Sequence, residues 1–262
     1  MAFDMNNFVI DRIVRGVALS QTDGSVLFSL NQITNPSLSV SSESTDAVDA
    51  LGTPICTFNR AKNAEFSAEN AIFDMNLLAV QAGTSKQVAT EAEKILTPAF
   101  ETIDIDGTST TYTLKHTPKD EVKTIYALNG DGTLGTAYTK STTASATAFA
   151  MTGNIVTPPT GLAKGDQLFV IYEYEASKAV AVTNSATNFP TACQLVLETL
   201  GCDVCDQTKM VFCYLIFPNF KISSDFDWSI QTDGTHPFSG KAMQEYCSKE
   251  KALFQIIIPG DE

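Results

Sequence analysis

The segment "CQLVLETLGCDVCDQTKMVFCYLIF" occupies residues 193–217, and the fold depends on how it is interpreted. Its two ends, 193–200 and 209–217, alternate apolar with other residues, which is the pattern of amphipathic β-strands. Between them stand Cys202 and Cys205 in C-x-x-C spacing. Such a pair is compatible with half of a zinc site, a redox pair or a turn that leads into a buried strand, and these alternatives separate an enzyme from a structural protein.

The neighbours of the C-x-x-C pair favour the turn. Cys193 and Cys213 flank it, but neither belongs to a second pair, so a structural zinc site lacks half of its usual ligands. A thioredoxin-like redox pair stands where a strand leads into a helix, whereas this one precedes a strand. We therefore interpret Cys202 and Cys205 as turn residues and Cys213 as a small buried apolar side chain, with zinc and redox roles as the alternatives.

Composition and charge narrow the class of protein. The 262 residues are 44% hydrophobic and 18% charged, an ordinary globular balance, and no apolar run approaches the roughly 20 residues that span a membrane. Thirty acidic residues against 17 basic ones give a net charge of −13, which argues against a protein that grips nucleic acid through a basic surface. Acidic walls would instead let nucleic acid slide past by repulsion. The N-terminus carries no secretory signal pattern, so we expect synthesis in the cytosol and free thiols.

Three regions differ in composition. Residues 107–178 are dense in threonine and serine, contain six basic and six acidic residues, and hold short β-prone segments between turn signals. We predict that 1–106 and 179–262 form one discontinuous β domain, interrupted by a small β-sandwich at 107–178. A helix is predicted at 70–83, with Gly83 just past its end. The strands predicted for the outer regions are 8–20, 26–30, 38–44, 55–69, 180–185, 193–200, 209–217, 225–232 and 251–258.

Histidine, which supplies most general bases and metal ligands, is scarce in this chain. His116 ends a predicted strand and His236 lies in a predicted turn, 120 positions apart and away from any nucleophile motif. We expect surface or loop roles for both. Trp228, the single tryptophan, alternates with Phe226 in 225–232 and is predicted to anchor one face of a sheet.

Paired carboxylates are the remaining candidates for chemistry. Asp104 with Asp106, and Asp225 with Asp227, would each share one face of a strand, and 261–262 form a terminal acidic pair. Such pairs are able to bind a cation or to act in glycoside hydrolysis, but exposed alternation on a sheet explains them equally. We predict no catalytic, cofactor-binding or metal-binding residue and no cofactor.

Three stretches, 29–73, 165–175 and 217–259, carry a resemblance to a known family. In order they comprise a strand, polar loop, strand and helix; the end of the threonine-rich module; and a polar cluster before a final apolar strand. Together they resemble the major tail tube proteins of tailed bacteriophages, with an immunoglobulin-like insertion. The resemblance implies a mainly β fold, in which a tube-type β-sandwich or barrel domain with a flanking α-helix is interrupted by the inserted sandwich.

The resemblance also implies a function. Tail tube subunits are virion proteins that assemble into hexameric rings, and the rings stack into a channel through which DNA passes without specific binding. We expect the chain to be such a subunit, made in the host cytoplasm, with copies of itself and other tail proteins as partners and no membrane embedding. Two alternatives stay open: a capsid decoration or head-fibre protein, and a hydrolase that uses paired carboxylates or bound zinc.

Overall fold

The computed structural model describes residues 7–204, 206–246 and 249–260. In chain order the elements are β1 (Phe8–Ser20), β2 (Val26–Leu30), β3 (Ile33–Val48), β4 (Pro54–Asn70), α1 (Met75–Gln81), β5 (Gln87–Val88), β6 (Ile95–Asp104), β7 (Tyr112–Thr113), β8 (Thr124–Leu128), β9 (Leu134–Lys140), β10 (Ala148–Thr152), β11 (Ile155–Thr157), β12 (Gln167–Ala176), β13 (Val180–Ala181), β14 (Ala192–Asp203), β15 (Asp206–Ile222), β16 (His236–Ala242) and β17 (Gln255–Ile257). The protein is mainly β, as the sequence predicts.

The chain divides into two compact units. The first unit contains the described residues up to Lys86 and from Val182 onward, and the second unit is Gln87–Ala181. The second unit begins earlier than the predicted insertion at 107–178, because β6 pairs with β12 over ten consecutive residue pairs, Ile95–Asp104 against Gln167–Ala176. The short strands β5 and β13 also pair where the chain enters and leaves this unit.

The sheet of the first unit is antiparallel, in the order β2-β1-β14-β15-β16-β4-β3, with β17 beside β15. Its terminal strands β2 and β3 are consecutive in the chain, so the sheet curls into a nearly closed, barrel-like form. Gly16 in β1 permits this closure, since a Cβ there would lie 2.6 Å from Cδ1 of Ile33. The period-two alternation places Leu195, Leu197 and Phe217 on the concave face.

The interior of the first unit is an aromatic and aliphatic core. Phe66 packs against both Phe217 and Phe238, with ring centroids 5.7 and 6.0 Å apart, and Phe217 also contacts Phe220. Burying side chains of this size contributes about 2–3 kcal/mol each. The buried members of the cluster are Ala18, Phe28, Leu30, Ala64, Phe66, Ala68, Leu77, Cys193, Leu195, Leu197, Phe217, Phe220, Ile222, Phe238 and Ala242.

Helix α1 is shorter than the predicted 70–83, because β4 continues to Asn70 and Asp74 caps the helix. The Asp74 carboxylate accepts hydrogen bonds from the backbone N–H groups of Asn76 and Leu77, at 2.9 and 2.7 Å. Gly83 follows the last turn with φ of +64°, the left-handed conformation expected after a helix end. Among the described residues no helix is long and apolar enough to cross a membrane.

The second unit has its own sheet, in the order β6-β12-β8-β9-β10-β11-β7. All of these pairs are antiparallel except β9 with β10, which is parallel. The core contains Ile125, Phe149, Val156, Leu168 and Val170, and each of these side chains is fully buried. With a separate sheet and a separate core, this segment meets the usual description of a domain.

Three predicted strands are wrong or too long. Of the strand predicted at 180–185, only Val180–Ala181 are extended, as β13, and they belong to the second unit rather than to the first. Residues 225–232 form a loop, since the alternation of Phe226 and Trp228 arises from ring packing against His236 rather than from a strand ladder. In 251–258 only Gln255–Ile257 are extended and paired, while Leu253 and Phe254 pack against the core.

Candidate assembly surfaces

A long two-stranded arm is the first surface that no further described strand pairs with. We define the arm as residues 39–63, the distal parts of β3 and β4, in which every residue is exposed. The strands pair with each other from Ser39↔Glu65 to Val48↔Pro54, whereas β16 accompanies β4 only from Ala64 onward. A lone two-stranded ribbon is marginally stable in water, so the arm needs a further surface to pack against.

The tip of the arm is apolar and its turn is fixed by one carboxylate. Asp49 accepts hydrogen bonds from the backbone N–H groups of Leu51 and Thr53, at 2.8 and 2.9 Å. Leu51 is 91% exposed and Ile55 is 70% exposed, and Phe58 is exposed as well. Side chains of this kind gain free energy only when another surface covers them, so the tip has the composition of a contact site.

Unpaired strand edges are the second surface. Among the described strands, the distal part of β1, Phe8–Arg15, pairs with β14 on one side only, because β2 reaches no further than Gly16. Val9 and Ile10 are exposed on this edge. Of the described strands, none pairs with the outer edge of β3. Free edges of this length invite pairing with another chain.

The convex face of the first unit is the third surface. Val17, Val196 and Ile216 lie side by side across β1, β14 and β15, since the register pairs Val17 with Val196 and Val196 with Ile216. All three side chains are half-buried, and Phe212 further along β15 is exposed. Because the concave face of the same strands is the core, these strands carry apolar side chains on both faces, although Gln194 and Glu198 flank Val196 on the convex side. Apolar side chains on both faces are typical of a sheet covered on both sides.

Charge is unevenly divided between the units. The second unit contains seven lysines and eleven acidic residues, a net charge of −4, so the rest of the chain carries −9 of the total −13. Residues 107–178 are neutral, as counted from the sequence, but residues 87–106 add five acidic residues and one basic residue, Lys94. The difference follows from the boundary, since the acidic excess lies in 87–106.

The cysteines considered for chemistry are separated by the fold. Cys202 is half-exposed and lies within β14, paired with Met210, so the prediction that it belongs to the turn is wrong. Cys193 and Cys213 are buried, as predicted for Cys213, and all three thiols are free. Burial raises the pKa of Cys193 to about 11, which keeps its thiol protonated and unreactive. Cys205 lies outside the described residues, as do Cys247 and the terminal acidic pair 261–262. Within the described residues, no group of three or more metal-ligating side chains comes together.

The two histidines have structural surroundings. His116 is exposed in the segment after β7, and its ring stacks on Tyr174 with centroids 3.8 Å apart. His236 is the first residue of β16 and only 1% exposed, so the prediction that it lies in a turn is wrong. Trp228 stacks on Phe73 at 4.3 Å from within a loop, so it anchors that loop instead of a sheet face.

The structure does not place either predicted carboxylate pair on one face of a strand. Asp104 is the last residue of β6 and accepts a hydrogen bond from Nε2 of Gln167 at 2.6 Å. Asp106 lies in the following turn and accepts from Ser109, which holds the pKa of its carboxyl well below the ordinary value. Asp225 and Asp227 are exposed in the loop before β16. Asp104 therefore stands at the end of a strand, while the other three carboxylates lie in a turn or a loop.

The arm and the apolar convex face were missed when the sequence was considered alone. A signal for the arm exists, because 39–48 contains few apolar residues yet continues the strand pattern of 38–44. A strand whose two faces are both polar has no core to cover. The apolar side chains of the convex face have no such signal, because alternation in the sequence does not tell which of two apolar faces is buried.

The family model described as "YomU/Tube protein family" matches residues 8–257, which is all but the two ends of the chain. No curated protein matches.

Proposed function

The chain belongs to the YomU/Tube protein family, and from this we propose that it is the major subunit of a phage tail tube. In this proposal six copies close into a ring, rings stack into a tube, and the tube forms the channel through which DNA passes. The protein is then a structural component of the virion tail, made in the host cytoplasm, with copies of itself and other tail proteins as partners.

The observation that carries the proposal is the combination of free strand edges with a sheet that has a row of apolar side chains on its convex face as well as its core face. A ring satisfies the backbone N–H and C=O groups of the β1 and β3 edges by pairing them with neighbouring copies. The same packing would cover Val17, Val196 and Ile216. The arm then extends from each copy to a neighbour, which supplies the surface that an isolated ribbon lacks.

Electrostatics supports DNA passage without specific binding. The first unit together with the chain ends carries a net charge of −9, and a wall of that sign repels phosphate groups. A protein that holds DNA requires the opposite, a cluster of lysine and arginine facing the backbone. The proposal therefore assigns the acidic excess to the inner wall of the tube.

The second unit is proposed to be an immunoglobulin-like domain on the outside of the tube. Its separate sheet and core support its treatment as a module distinct from the unit that contains the proposed ring surfaces. The protein as a whole is proposed to have no catalytic activity, no cofactor, no metal and no membrane-embedded part. Family membership supports this tube role over a capsid decoration or head-fibre protein.

The oligomeric state of the purified protein tests the proposal. Analytical ultracentrifugation and negative-stain electron microscopy should detect rings with sixfold symmetry and, at higher concentration, stacks of rings. A protein that remains monomeric across a wide range of concentration and salt would contradict the proposal. Binding to purified phage heads without self-association would instead support the decoration protein.

A further inference from the structure

An open groove lies where the arm joins the first unit. It encloses about 850 Å³ between the root of β4 and the segment that follows β16. Exposed basic side chains line it, namely Arg60, Lys62, Lys241 and Lys251. The segment after β16 is held in place by a hydrogen bond of 2.7 Å from the Met243 N–H to the Asn219 carbonyl oxygen.

The groove combines this basic rim with an apolar floor. Leu253 and Phe254 form the floor and are packed against the core from behind, so they are fixed in position. Among the described residues that line the groove, Glu65 is the acid, and its carboxylate lies 3.2 Å from Nζ of Lys241. The rim keeps an excess of positive charge on a chain whose net charge is −13.

The matching feature is the acidic loop, which we define as residues 223–235. It contains Asp225, Asp227 and Asp233 and no basic residue. Trp228 points inward onto Phe73, with ring centroids 4.3 Å apart, so the loop is held against the first unit. An irregular segment of this length inside a compact unit commonly has a functional role.

The loop also presents an apolar side chain. Ile230 is 83% exposed and lies in the sequence between Asp227 and Asp233, both of which are exposed. Its arrangement is the complement of the groove, with an apolar centre and acidic flanks against an apolar floor and a basic rim. Complementarity of this kind sets the specificity and register of an interface.

Loop and groove belong to different ends of β16. The loop leads directly into His236, the first residue of β16, while the groove is lined by Lys241 and the residues that follow it. The strand spans about 20 Å between these points, at roughly 3.4 Å per residue. A contact between loop and groove is therefore head-to-tail, and a head-to-tail contact that does not close on itself generates a filament.

We propose that the acidic loop of one copy occupies the groove at the root of the arm in the next copy along the tube. The inference rests on the proposed tube function and specifies which surfaces join successive rings. Asp227 and Asp233 contact the basic rim, and Ile230 covers Leu253 and Phe254. The contact gives the stack a direction, because each copy has a loop end and a groove end.

The groove fits a protein loop better than a nucleic acid. Phosphate groups would neutralise the rim but would leave the apolar floor exposed to water, whereas Ile230 covers it. The acidic loop meets both requirements, because its carboxylates neutralise the rim while Ile230 covers the floor.

Charge reversal and charge exchange test the inference. The groove variant is Arg60→Glu with Lys62→Glu, the loop variant is Asp227→Lys with Asp233→Lys, and the fourth protein combines all four substitutions. Each variant alone should raise the protein concentration needed for stacking by more than about tenfold at low salt, because like charges then face each other. The combined protein should recover most of the stacking, while rings form in all four.

The matched control reverses two exposed lysines of the second unit, Lys115→Glu with Lys123→Glu, and should stack as the unmodified protein does. If the unmodified protein stacks and the reversals leave stacking unchanged, or the combined protein recovers nothing, this inference is wrong while the tube function stands. An unmodified protein that forms neither rings nor stacks contradicts both. Retention of short duplex DNA by the unmodified protein that the groove variant loses, with normal stacking, would assign the groove to nucleic acid and overturn the inference.

Discussion

His236 is the buried titratable side chain on which the start of β16 depends. Its Nδ1 accepts a hydrogen bond from the Asp74 N–H at 3.3 Å, and its Nε2 lies 2.9 Å from Oε1 of Gln81. Nε2 of Gln81 donates to the carbonyl oxygen of Pro237, so its Oε1 is the acceptor and Nε2 of His236 carries the hydrogen. The neutral ring is therefore fully bonded, and burial lowers its pKa against a smaller opposing effect of the Asp74 carboxylate.

This environment predicts a loss of stability in mild acid. A histidine whose pKa is lowered by folding binds its proton more readily in the unfolded chain than in the folded one. Its contribution to the free energy of unfolding is therefore complete above the pKa of the unfolded chain, about 6.5, and is lost as the pH falls below that pKa. Urea midpoints measured at about pH 7.5 and about pH 5.5 should fall in acid for the unmodified protein. His236→Gln should flatten this difference, and His116→Gln, which alters an exposed ring, should not. Equal pH dependence in all three proteins would contradict the assignment.

Substitutions of two phenylalanines, one in the core and one on the arm, distinguish a side chain that stabilises the folded subunit from one that is available for assembly. Phe217 is completely buried in the core of the first unit, whereas Phe58 is exposed on the arm. Phe217→Ala should lower the free energy of unfolding by about 3–5 kcal/mol, because it removes the buried ring and leaves a cavity. Phe58→Ala should change it by less than about 0.5 kcal/mol in the monomer. Denaturant melts of monomeric protein measure both, and a large loss for Phe58→Ala would show that the arm is part of the monomer core.

At the scale of elements, the arm is the part of the chain least supported by its own fold. Its two strands pair with each other and all of their residues are exposed, and its turn depends on the hydrogen bonds that the Asp49 carboxylate accepts. The β-propensities of its residues cannot compensate for the missing core, since a two-stranded ribbon gains most of its stability from the surface that it packs against. The arm therefore belongs to the assembly more than to the subunit.

Leu51→Ser with Ile55→Ser should prevent assembly while leaving the subunit folded. The two changes remove apolar area from a tip that the folded subunit does not cover, so the melting of the monomer should remain unchanged. Sedimentation at increasing concentration should then show the loss of tubes. Leu134→Ser, an exposed leucine of the second unit, is the matched control and should assemble normally. Normal tubes from the arm variant would remove the arm from the proposal.

At the scale of the whole molecule, the two units have separate cores and separate sheets. The chain enters and leaves the second unit through neighbouring strands, since β5 pairs with β13 through Val88↔Val180 and Gln87↔Ala181. Ends that lie this close are joined by a short linker without strain, as in tolerated domain insertions.

Replacing residues 87–181 by a short glycine-serine linker should give a folded protein that still assembles. The first unit keeps its complete sheet and all of the surfaces proposed for the ring and the stack. Circular dichroism and electron microscopy of the shortened protein measure folding and tube formation. The isolated segment 87–181 should fold alone and remain monomeric. Failure of the shortened protein to assemble, with folding intact, would place part of the interface on the second unit.

The sequence by itself determined the mainly β class and most strand positions, including 8–20, 26–30 and 193–200, because alternation with period two is a local property. It also predicted the helix that ends before Gly83, although the cap at Asp74 shortened it. The strand predicted at 225–232 was wrong because ring packing produces the same alternation as a ladder.

Only the tertiary structure decided which surfaces are left without a partner. Val17 and Val196 lie side by side because of the register between strands that are almost 180 residues apart in the chain, and no local sequence pattern predicts that register. The groove likewise combines the root of β4 with the segment after β16. The local sequence determines whether a segment forms a strand, a helix or a turn, whereas long-range strand pairing determines which side chains meet. The candidate assembly surfaces depend on long-range pairing.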